Sequence, residues 1–74
     1  MQITETWKAA DDSAARGDER SANAMRMAAL ANMLAAAETA ILCGDGRAAR
    51  DKLEELRAYA SMAAAKILEA APSH

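Results

Sequence analysis

Phenylalanine and valine are absent from this 74-residue chain, and proline, cysteine, tryptophan, tyrosine and histidine occur once each. Strands favour β-branched and aromatic side chains, so a chain with three isoleucines and no valine is poorly equipped for a sheet. A lone Cys43 excludes an intramolecular disulfide and fits a reducing compartment. The one histidine, His74, is the last residue, beyond Pro72, so the fold contains no Cys–His nucleophile.

The motifs of other chemistries are missing as well. Nothing resembles a GxxxxGK phosphate loop, and no Glu-x-x-His pair of the di-iron type occurs. Asp11-Asp12, Asp18-Glu19 and Glu54-Glu55 are adjacent acids, which point about 100° apart on a helix and do not converge on a metal. Arg16-Gly17-Asp18 spells a tripeptide familiar from adhesion ligands, but its glycine is better explained as a helix interruption. We expect no catalytic residue, no metal, no cofactor and no small-molecule substrate.

Charge excludes further classes. Nine basic and eleven acidic residues leave a formal net charge of −2, no electrostatic footprint for indiscriminate binding to nucleic acid. The opening MQITETWKAADD lacks the basic region and apolar run of a signal peptide. Residues 21–43 are long enough to span a bilayer, yet Arg26 and Glu38 lie among them and alanine dominates the rest. We read this stretch as a buried helix of a cytoplasmic protein rather than a membrane segment. Six arginines against three lysines, with abundant alanine, suit a GC-rich bacterial or phage genome.

What the chain does have is alanine: 22 residues, beside six leucines and five methionines. These are strong helix formers, so the expected fold is all-α. Thr4 can cap a first helix over about 4–16, which Gly17-Asp18 interrupts. A central helix over about 19–43 follows, with Asp18 or Ser21 as its cap. Gly44-Asp45-Gly46 is the strongest turn signal, and the third helix runs over about 47–71 to Pro72. The whole reads as one helical domain, 1–74. The break at Gly17 leaves open whether the first two helices are continuous.

Heptad spacing then suggests a pairing. Met27, Leu30, Leu34, Ala37 and Ile41 form one seam; Ala49, Leu53, Leu56, Ala60, Ala63 and Ile67 form another. Folding back at Asp45 sets large residues of one seam against small residues of the other in most layers, an alanine-rich antiparallel hairpin. A second stripe on the central helix, Met25, Ala29, Asn32, Met33, Ala36 and Ala40, is left for another surface. We expect Met25, Ala29, Met33, Ala36 and Ala40, together with Trp7, at a dimer or partner interface.

Alanine side chains make a thin core, so a lone hairpin would be marginal and a homodimer, a four-helix-type bundle, is expected. The functional expectation is a small non-enzymatic protein-binding regulator or inhibitor. It would act through helical surfaces on a larger bacterial protein of unknown identity, with phage or plasmid genes a natural source. The alternatives are a structural subunit or chaperone stable with a cognate chain, and a helical-hairpin regulator associated with nucleic acid.

Overall fold

The computed structural model describes residues 3–70, and within them the chain forms three α-helices and no strand. They are α1, Ile3–Ala15; α2, Glu19–Leu42; and α3, Gly46–Ala70. The all-α reading stands. α1 already includes Ile3, so Thr4 lies inside the helix instead of capping it. The expected stop at Pro72 and the terminal His74 lie outside the described residues.

Two short turns separate the helices, and both are the same device. In the first, Gly17 takes φ +85°, its N–H donates to the Ala14 carbonyl at 2.9 Å, and the Asp18 N–H donates to the Ser13 carbonyl at 3.0 Å. In the second, Gly44 takes φ +75°, with Gly44 N–H to Ile41 O at 3.0 Å and Asp45 N–H to Ala40 O at 2.9 Å. This pair of bonds around a left-handed glycine satisfies the last carbonyls of the preceding helix. The aspartate after each glycine then starts the next helix. Asp18 Oδ1 accepts from Ser21 N–H, and Asp45 Oδ1 accepts from Ala48 N–H, both at 3.1 Å. α1 and α2 are therefore two helices. A Gly-Asp pair both stops one helix and caps the next.

The chain falls into two compact units, Met1–Asn32 and Met33–His74. In the first, α1 buries Trp7, Ala10 and Ser13, and the opening half of α2 buries Ala22, Arg26 and Ala29. In the second, Met33 and Ala37 of α2 and Ala49 and Ala63 of α3 are buried, with Leu56 and Tyr59 half-buried. Along α2 the buried positions 22, 26, 29, 33 and 37 recur at spacings of four and three, one line along the helix. That line is turned by about a fifth of the circumference from the expected Met27–Ile41 seam. The two share only Ala37.

The turns generate two expectations. A Cβ at Gly17 or Gly44 meets nothing within 4 Å, so Gly→Ala there creates no clash but forces alanine to positive φ. Each substitution is expected to cost about 1–2 kcal/mol, read as a lower urea midpoint with an unchanged slope.

The second expectation concerns pH. Hydrogen bonds from the Ser21 side chain and backbone N–H, helped by the nearby Arg16 charge, hold the Asp18 carboxyl below its ordinary value. A carboxyl depressed in the folded state stabilises the start of α2 above its unfolded pKa, and that contribution fades as pH falls through the folded one. Helicity of the wild type should therefore drop below about pH 4 more steeply than that of Asp18→Asn, which keeps a cap that does not titrate. Circular dichroism titrations of the two proteins check this.

Candidate functional site

The most unusual side chain is Arg26. It is 2 % exposed, which for an arginine requires partners, because a desolvated unpaired charge is costly. Its Nη2 donates to Asp11 Oδ1 of α1 at 2.9 Å, and its Nη1 donates to Asn23 Oδ1, one turn earlier on α2, at 3.0 Å. Its Nε is buried and has no hydrogen-bond partner among the described residues. Asp11 is the exposed end of the pair, its side chain 49 % accessible.

Beside this pair, Ser13 Oγ lies 3.8 Å from Met25 Sδ and accepts from Arg16 Nη2 at 3.2 Å. The clasp between α1 and the start of α2 thus combines small residues, one buried cation and Trp7. Sequence reasoning missed Arg26 as a buried group. Its signal was an arginine one turn after Ala22 and three before Ala29 on an apolar helix, readable only once the buried line is known.

The expected interface residues divide. Trp7, Ala29 and Met33 are buried within the chain itself, Met25 and Ala40 are half-buried, and Asn32 and Ala36 are exposed. Of the expected hairpin seam, Ala37, Ala49 and Ala63 are buried, and Leu30 and Leu56 are half-buried. Met27, Leu34, Ile41, Leu53, Ala60 and Ile67 are exposed.

Large apolar side chains therefore concentrate on the surface. On α2, Met27, Leu34 and Ile41 are 73, 45 and 59 % exposed, and Leu42 reaches 87 %. On α3, Leu53, Met62, Ile67 and Leu68 are all exposed. Residues 27, 34 and 41 are seven apart and so share one face of α2; residues 53, 60 and 67 do the same on α3. Single exposed leucines are ordinary, whereas aligned rows of large apolar side chains are less common on a single chain.

Polar features are weaker. A shallow recess open to solvent lies on the flank of α3's first turns, lined by Gly46, Arg47, Arg50, Asp51 and Glu54. Arg50 Nε meets Glu54 Oε1 at 3.4 Å, so carboxylates interleave with the arginines and dilute their field. Cys43 is exposed beside Gly44. Among the described residues no three His, Cys, Asp or Glu side chains gather as a metal set. Among the same residues α2 alone is long and apolar enough to cross a membrane, with 22 % of its most apolar window buried.

No protein-family model, no curated protein and no solved structure matches this chain.

The Arg26–Asp11 pair makes an asymmetric prediction. Asp11→Ala leaves a buried guanidinium without its counter-charge and is expected to destabilise by about 1–3 kcal/mol. Arg26→Met removes the buried charge and its orphaned Nε while keeping the side-chain length, and should stay within about 1 kcal/mol of wild type. Urea midpoints of the two variants, and of the double change, separate these outcomes. Equal costs would mean that Coulomb attraction, not the desolvation of Arg26, dominates.

Proposed function

We propose that this chain is a small non-enzymatic protein-binding module, a regulator or inhibitor whose exposed helical rows dock on other protein surfaces. The observation that carries the reading is the row of large apolar side chains left open on α2 and α3 beside buried positions that are mostly alanine. The architecture that goes with it is an alanine-rich antiparallel hairpin of α2 and α3, with α1 as an N-terminal brace and the open rows covered by helices of a partner. A bundle of two such hairpins is the simplest form.

The same rows favour protein over lipid as the covering phase. α2 has Arg26 clamped to Asp11 and carries an exposed Glu38, and α3 alternates Lys52, Glu54, Glu55 and Arg57 along its exposed side. Helix partners tolerate such flanking charges at an interface rim, whereas the middle of a bilayer does not. Among alternative roles, a subunit or chaperone stable with a cognate chain draws on the same surface. It differs in the obligate nature of its partner.

The experiment compares wild type with the triple variant Leu34→Glu, Leu53→Glu, Ile67→Glu, each site being exposed in the single chain. Circular dichroism should show helicity retained in the variant. Affinity capture from a bacterial lysate and light scattering should show protein association in wild type and its loss in the variant. A wild type that associates with no protein, or that floats with phospholipid vesicles instead, overturns the reading.

A further inference from the structure

We infer that α1 is a releasable strap: it lifts away from α2 as one body about Gly17 while α2 stays helical, baring Trp7 and the Arg26 guanidinium. This motion is independent of the protein-binding reading above.

In the closed strap Arg26 is held short of its hydrogen-bonding capacity. It is 2 % exposed, and its Nε has no hydrogen-bond partner among the described residues. Asp11, its counter-charge, keeps about half of its side chain in water. The desolvation cost of the pair therefore falls mainly on the cation. Release breaks one charged bond, Arg26 Nη2 to Asp11 Oδ1, and gives water access to Nη2 and Nε. The bond from Nη1 to Asn23 lies inside α2 and survives. Breaking a buried ion pair by truncation strands a charge, whereas lifting α1 leaves both charges solvated.

Apart from Trp7, small side chains hold α1 down. Of its 13 residues it buries Trp7, Ala10 and Ser13: one indole, one methyl and one hydroxymethyl. The opening half of α2 adds two further methyls, Ala22 and Ala29, beside Arg26. An isolated helix of this length is marginal in water, so an undocked α1 also unwinds and its amides exchange.

The turn lets α1 go without disturbing α2. The Gly17 and Asp18 N–H groups bond to carbonyls of α1 itself, Ala14 and Ser13. α2 starts on Asp18 alone: Ser21 N–H donates to its Oδ1 and Ala22 N–H to its carbonyl. Neither bond needs a residue of α1. A Cβ placed on Gly17 would meet nothing within 4 Å, so nothing packed against the turn obstructs rotation there.

Residue-resolved hydrogen exchange on the full chain at increasing urea tests this. Concerted release gives the amides from Trp7 to Ala15 one common opening constant, larger than that in the middle of α3. Its urea dependence should also be shallower than that of α3, because lifting one helix exposes little surface. Asp11→Ala removes the bond that release breaks and should raise the α1 opening constant roughly tenfold. Protection that instead climbs steadily from Trp7 to Ala15 is fraying from the chain end and overturns the inference. Equal constants and equal urea slopes in α1 and α3 overturn it too, since α1 then opens only with the whole chain. An α1 opening constant unmoved by Asp11→Ala has the same consequence. If that variant fails to fold, the wild-type pattern decides.

Discussion

The constraint on which the rest of this molecule depends is the size of a methyl group. Six of the eight buried hydrophobic residues among those described are alanines; Trp7 and Met33 are the others. Alanine maximises helix propensity and lets helices approach closely, but each buried methyl removes little apolar surface from water. A chain built this way forms helices readily and gains little by packing them. Apart from Met33 and the half-buried Met25, Leu30 and Leu56, its larger aliphatic side chains on α2 and α3 do not supplement the core. They stand outside it, on α2 and α3. A small inner core and an apolar exterior are two sides of one allocation of side chains.

Polar groups supply the definition that thin packing does not. Each turn satisfies helix-terminal carbonyls through a left-handed glycine and helix-initial N–H groups through the aspartate that follows, so helix boundaries are fixed by hydrogen bonds. Arg26 does the same for α1. Its two bonds reach one residue on each helix, Asp11 and Asn23, and they set the azimuth of α2 relative to α1 as well as the distance. Alanine on alanine slides easily, whereas a buried guanidinium has a restricted set of positions in which it is satisfied.

The legibility of the sequence follows the same division. The fold class was readable because composition alone disfavours strands and favours helices. The breaks at Gly17 and Gly44 were readable because glycine next to aspartate has a specific backbone job. The buried face of α2 was not. In an alanine-rich helix several heptad registers are satisfied at once, and ranking them by the largest side chains selects Met27, Leu34 and Ile41. These are residues the single chain leaves open. The line that is buried includes an arginine, which any hydrophobic criterion discards. Its partner Asp11 lies fifteen residues earlier on another helix, and one-dimensional periodicity does not connect the two. Trp7 could either lock the first helix onto the rest of the chain or anchor a partner, and its burial within the chain fits the first.

The clasp also has a temporal side. Every contact it uses, Asp11 with Arg26, Ser13 with Met25, Asn23 with Arg26, spans at most fifteen residues within the first unit. Contacts so local close quickly, and none of them needs a residue of α3. The buried cation Arg26 is therefore neutralised by a contact that needs only the first two helices. The exposed apolar side chains from Leu34 through Leu68 take no part in these contacts, so the clasp can form whether or not those rows are covered.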